Sequence, residues 1–103
     1  MPKYQVDITQ IAESDIKEIR SYISMDNPLA AEKWLKEVER QIESLENFPL
    51  RCPVIPEARE LGNQYRHLLY GYYRTIFRME GKRVIILRVI HGARLLDMET
   101  IER

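Results

Sequence analysis

Cysteine, histidine, glycine and the large aromatics are scarce in this chain of 103 residues: one Cys, two His, four Gly, one Trp and two Phe. A lone thiol cannot make a disulfide framework, and one Cys with two His is too few for a structural zinc site, so neither disulfide, metal nor cofactor is expected. The longest uninterrupted apolar run is Val84-Ile85-Ile86-Leu87, far short of the roughly 20 residues of a membrane span. The start, Met-Pro-Lys-Tyr-Gln-Val-Asp, has no apolar signal region, so a cytoplasmic location without a membrane partner is the expectation. Net charge is missing too, since 16 Lys+Arg balance 16 Asp+Glu. What is present, 45% hydrophobic and 31% charged residues, describes an ordinary globular domain. The length fits one domain over residues 1–103, able to bury roughly two-thirds of its unfolded surface.

The zero charge conceals a division. Residues 1–50 hold 6 basic and 10 acidic side chains, and residues 51–103 hold 10 basic and 6 acidic. Between Arg59 and Arg94 the basic residues are Arg59, Arg66, Arg74, Arg78, Lys82, Arg83, Arg88 and Arg94, against only Glu60 and Glu80. Arginine brings a planar, multi-donor fork suited to phosphate or carboxylate, which a lysine point charge does not reproduce. The run reads either as a solvated sheet face or as a surface for an anion or an acidic partner.

Tyr4, Val6 and Ile8 alternate with Lys3, Gln5 and Asp7, the period of a half-buried strand. Thr9 is placed to cap a helix running to about Met25, with Ala12, Ile16, Ile19 and Ile23 on one stripe. Asn27 and Pro28 form a cap and first position for a second helix, whose apolar face is Ala31, Trp34, Leu35, Val38, Ile42 and Leu45. Asn47 and Pro49 end it, and residues 48–63 read as a loop with at most one irregular turn. Three strand-like runs come next, near Gln64–Leu69, Tyr72–Met79 and Arg83–His91, joined by short glycine turns as an antiparallel meander. Strict alternation puts Ile85, Leu87 and Val89 on one face of the last strand and Val84, Ile86, Arg88 and Ile90 on the other. In the middle strand Tyr73, Thr75, Phe77 and Met79 share a face. A tail after Arg94 reads as helical from about Asp97. The order is β-αα-βββ, an α+β fold with an antiparallel sheet packed by an N-terminal helix hairpin.

This order, with Ala12 to Ile19, Asn27 to Ala31, Ser44 to Pro49, Glu57, Tyr65-Arg66, Gly71-Tyr72-Tyr73-Arg74 and Ile85 to Arg94, resembles the RelE/ParE superfamily of toxins from type II toxin–antitoxin modules, a group that includes plasmid stabilisation proteins. The resemblance covers about nine-tenths of the chain. It implies a growth-inhibiting toxin neutralised by a cognate antitoxin, whose acidic tail would fold over an Arg66, Arg74, Arg88 and Arg94 surface. The RelE-like branch cuts mRNA in the ribosome, and the ParE-like branch inhibits DNA gyrase.

RNA cleavage without metal needs a base for the 2′-OH, cations on the phosphate and a donor for the leaving oxygen. By resemblance Arg74 and Arg94 match family arginines and Arg66 lies near a lysine position. Leu68 stands where a second lysine is wanted, and the usual tyrosine after Arg94 is missing. His91, with Glu57 or Glu60, is the titratable substitute, so an RNA-cleaving site would comprise His91, Arg74 and Arg94. The plainer reading makes His91 a strand-end histidine bonded to backbone and the arginines partners of hairpin carboxylates or sheet-edge carbonyls. Tyr65, Tyr70, Tyr72 and Tyr73, interleaved with arginine, suit base stacking or a protein contact, with Tyr72 in the binding set; at least two of the four should be packed inside. Cys52, Trp34 and Phe48 are expected in the core. The incomplete cleavage set and the absent positive field favour the ParE-like reading. The RelE-like nuclease and a non-toxic binding module of the same fold are the alternatives.

Overall fold

The computed structural model describes residues 3–62 and 64–94. The elements in chain order are β1 (Gln5–Ile8), α1 (Gln10–Asp26), α2 (Pro28–Ser44), a 3-10 turn (Pro49–Arg51), α3 (Ala58–Leu61), β2 (Tyr65–Tyr70), β3 (Tyr73–Glu80) and β4 (Arg83–His91). The expected tail helix lies outside the described residues. Among the described residues, no helix is long and apolar enough to cross a membrane.

Local chemistry fixes the hairpin. The Thr9 hydroxyl accepts from the Ala12 N–H at 3.1 Å and donates to the Leu87 carbonyl at 3.2 Å, so one side chain starts α1 and moors it to β4. Asn27 ends α1 through its N–H to the Ile23 carbonyl and starts α2 by accepting from the Ala30 N–H. Pro28 then occupies the position where a missing N–H costs nothing. The second helix stops at Ser44, earlier than Asn47. Leu45, Glu46 and Asn47 donate to carbonyls three residues back, so the helix tightens before it breaks.

The sheet order is β1-β4-β3-β2. The meander β2-β3-β4 is antiparallel, but β1 joins β4 in parallel, with Gln5 opposite Arg83 and Ile8 opposite Ile86. The sheet is therefore mixed rather than wholly antiparallel. The physical reason is the connection: the helix hairpin crosses from β1 to a β2 of the same direction, and the two tight turns of the meander return β4 to that direction beside β1. It also explains the near-continuous apolar reading of β4, which has a strand on each side and covered faces above and below.

Strict alternation fails in β4. The pairing with β3 shifts between Ile76 and Phe77, with Ile76 opposite Arg88 and Phe77 opposite Ile86, so Leu87 is extra. This bulge exchanges the faces of the strand residues beyond it. Val89 thus joins Val84 and Ile86 on the hairpin side, and Ile90 joins Ile85 and Leu87 on the other. On the hairpin side Phe77, Val84 and Ile86 pack with Ala12 and Leu45, and Val89 packs with Trp34 and Val38. The opposite face is covered by the segment leading into α3. Ile55 packs there on Tyr65, Ile76, Leu87 and Ile90, and Val54 bridges Arg66 at the β2 edge. What reads as loop thus supplies the cover of a second core, through Ile55 and Leu61.

Cys52 and Trp34 are buried as expected, but Phe48 is 61% exposed. The buried place belongs to Leu45, and Phe48 instead holds the left-handed exit from α2, at φ 50° and ψ 54°. A ring in that position projects from a reversal rather than from a helix face.

Candidate functional site

The arginine-rich half assembles into two distinct groups, set on opposite faces of the sheet at the end where β3 begins and β4 leaves. Gly71, at φ 57°, lets β2 turn directly into β3. Gly92 N–H donates to the Tyr72 carbonyl at 2.7 Å, so the exit of β4 rests on that turn. Tyr73 stands opposite His91 and Arg74 opposite Ile90. Because neighbouring residues of a strand face opposite ways, Tyr73 and His91 belong to the hairpin side and Arg74 to the other.

On the hairpin side the group is open and aromatic. The Tyr72 and His91 rings are stacked, 6.3 Å between centroids and 5° between planes, with Tyr72 79% exposed. Tyr73 meets His91 edge-on at 5.7 Å and Trp34 edge-on at 5.6 Å. His91 Nδ1 accepts from the Ala93 N–H at 3.1 Å, which puts the proton of a neutral ring on Nε2. Arg94 is exposed at the same end. Burial, with Tyr22 nearby, raises the pKa of Tyr73, so its phenol stays neutral.

On the other side the group is closed and charged. Arg74 is 3% exposed, Glu57 8% and His67 7%. Arg74 donates from Nη1 to Glu57 Oε1 at 3.0 Å and from Nη2 to Glu57 Oε2 at 2.5 Å, a bidentate pair. Nη2 also donates to the Arg94 carbonyl at 2.6 Å, and His67 Nδ1 lies 3.5 Å from Nη1. Burial chiefly, and the Arg74 charge, lower the His67 pKa against the opposing pull of Glu57, so the ring stays neutral.

The four arginines expected on one acidic-partner surface are therefore dispersed. Arg66 donates to the Leu50 and Cys52 carbonyls at 3.3 and 2.6 Å. Arg88 forks onto Asp15 of α1 at 2.7 and 3.0 Å. Arg74 is buried on Glu57, and Arg94 stands in solvent. Arg83 is paired with Asp7 and Arg78 with Glu80. Of the RNA-cleaving set, His91 and Arg94 share one end of the sheet, but Arg74 lies on the other face. Of the two carboxylates offered to His91, Glu57 or Glu60, the first goes to Arg74. Of the tyrosines, Tyr65 is buried, Tyr70 and Tyr73 are half-buried and Tyr72 is exposed. His67 was not singled out by its sequence. The available signal was its place two residues after Tyr65, on the face that the meander turns toward Arg74.

The fold, a small mixed sheet closed on one side by an N-terminal helix hairpin, is similar to that of chains in solved toxin–antitoxin assemblies. It matches the chromosomal ParDE toxin–antitoxin system from P. aeruginosa at a TM-score of 0.69 and 21% identity, over 88% of this chain and 98% of that one. It matches the toxin–antitoxin complex RelBE2 from Mycobacterium tuberculosis at a TM-score of 0.60 and 26% identity, over 86% of this chain and 98% of that one. No curated protein matches the sequence. The family model for the ParE toxin of the type II toxin–antitoxin system parDE matches residues 6–96, and the chain belongs to that family.

Proposed function

We propose that the chain acts in the cytoplasm as the toxin of a type II toxin–antitoxin pair, stopping growth by binding a protein target of the DNA gyrase kind, and that a cognate antitoxin holds it inactive. The observation that carries the choice of a protein target over RNA is the state of Arg74. A phosphate-holding cation must be reachable and unneutralised, whereas this guanidinium is 3% exposed and doubly bonded to Glu57. Leu68 offers no replacement cation, and His91 stands across the sheet from Arg74. What the exposed end does present is a flat stack of Tyr72 on His91 beside Arg94. Tyrosine and arginine of this kind anchor protein contacts. The family match and the two similar toxin–antitoxin structures support the antitoxin.

The test uses purified full-length protein in two assays side by side. Inhibition of gyrase supercoiling, weakened by Tyr72→Ala with Arg94→Ala, and no codon-positioned cuts on programmed ribosomes is the expected pattern. Cuts that disappear with His91→Ala would establish the nuclease reading instead. Inactivity in both assays would leave a binding module. Co-expression with the product of the adjoining reading frame should restore growth.

A further inference from the structure

We infer that Arg74 is a positioning residue: from inside the protein it ties the exit of β4 to the segment before α3, and so sets the exposed Tyr72, His91 and Arg94 surface. The role of that surface rests on the proposed function; the tie itself does not.

The guanidinium spans two acceptors that belong to different parts of the chain. Glu57 precedes α3, and the Arg94 carbonyl lies three residues past the end of β4. Other bonds of the exit are made at the turn or within it. Gly92 N–H goes to the Tyr72 carbonyl, Ala93 N–H to His91 Nδ1 and Arg94 N–H to the His91 carbonyl. Among the described residues, Arg74 is the side chain that reaches this exit from another element.

Its orientation favours the tie over its own satisfaction. Arg74 Nε is buried without a hydrogen-bond partner among the described residues, while both terminal nitrogens are engaged. A fork placed only to neutralise Glu57 could turn its Nε edge to the carboxylate. This one spends Nη1 and Nη2 on Glu57 and uses Nη2 again for Arg94. An apolar pair of equal volume would also hold the segment on the sheet, without burying charge. It could not donate to a carbonyl. From that carbonyl the effect passes along the turn: Ala93 N–H orients the His91 ring, and the ring stacks on Tyr72.

Two full-length variants separate positioning from plain stability. Glu57→Met with Arg74→Met leaves no lone buried charge, and Arg74→Lys keeps the charge but ends a bond short of Nη2, the nitrogen that meets both acceptors. Loss of one charge-assisted bond should speed amide exchange at Ala93 and Arg94 about tenfold in both variants, with Val84 and Ile86 little changed. The His91 ring resonances should shift in parallel, and gyrase inhibition should require about tenfold more protein. Unchanged exchange at Ala93 and Arg94 would overturn the tie. Equal acceleration at Val84 and Ile86 would reduce Arg74 to a general stabiliser and overturn it as well. Local loosening with undiminished inhibition would refute the link to the functional surface. If the unmodified protein does not inhibit gyrase, the proposed function fails alone, and the exchange result still decides the tie.

Discussion

Asp15 should be among the costliest exposed-looking carboxylates to remove. It is the sixth residue of α1 on a polar stretch, yet its side chain is 11% exposed and that of Arg88 13%. One carboxylate accepts three bonds: Arg88 Nε at 2.7 Å, Arg88 Nη2 at 3.0 Å and the Val89 N–H at 2.9 Å. The last matters because β1 ends at Ile8, opposite Ile86, so β4 runs on beyond its parallel neighbour. Asp15 completes the edge where the strand partner stops. In Asp15→Ala the Arg88 charge loses its carboxylate and a strand N–H loses its acceptor. Breaking such a pair from one side costs about 3–5 kcal/mol, a large part of the roughly 5–15 kcal/mol that holds a domain of this size together. Arg88→Met is different, since Asp15 keeps the Val89 N–H and the methionine chain keeps the packing; its cost should be about 1–2 kcal/mol. Urea titration gives both values, and the expected fall in Tm for Asp15→Ala exceeds about 12 °C. Asp15→Asn, which retains an acceptor, should fall between them. A larger loss from Arg88→Met than from Asp15→Ala would refute the reasoning, because it would place the energy in the arginine's contacts and not in the acceptor.

Two more outcomes rest on single residues. Because the His67 pKa is lowered on folding, its contribution is fully present above the unfolded value near 6.5 and is lost as pH falls through the lower folded value, at no more than about 1.4 kcal/mol per pH unit. Thermal melts between pH 5 and 7 should therefore slope upward with pH in the native protein and flatten in His67→Phe; identical slopes would contradict this. Phe48→Gly should raise Tm by a few degrees, since a non-glycine left-handed residue costs about 1–2 kcal/mol against roughly 0.5–1 kcal/mol for glycine's added freedom. A drop would mean that the exposed ring makes a contact worth more than its strain.

Features that depend on neighbours in sequence were legible in it. Thr9, Asn27 and Pro28 act within three residues of their partners, so composition and order sufficed to place both helices. The strand runs and glycine turns were readable for the same reason. The failures involve distance. Whether an arginine is free depends on carboxylates 17, 73 or 76 positions away, as Arg74, Arg88 and Arg83 show. A charge count between Arg59 and Arg94 could not register Glu57, Asp15 or Asp7, all outside that window. The β4 faces failed because one extra residue, Leu87, reverses every later assignment while leaving the local pattern intact. Phe48 failed because hydrophobicity indicates burial but not which residue a helix end throws outward. His67 needed the register of the meander before it had any neighbours.

The parallel seam between β1 and β4 also bears on how the molecule comes into being. Residue 5 finds its sheet partner at residue 83, so the first strand has no seat until the last has been made. The Thr9 mooring of α1 waits on Leu87 and the completion of the edge by Asp15 waits on Val89. A nascent chain therefore carries a hairpin whose Ile16, Ile19 and Ile23 stripe meets Trp34 and Val38 of α2 but waits for Val89 of β4. Contacts between such remote positions slow folding relative to local ones. A message cut short before Arg83 yields no smaller version of this protein, only an unsealed hairpin with half a sheet. Closure of the sheet thus waits on β4, and the interval before it is time in which another chain can meet the open hairpin.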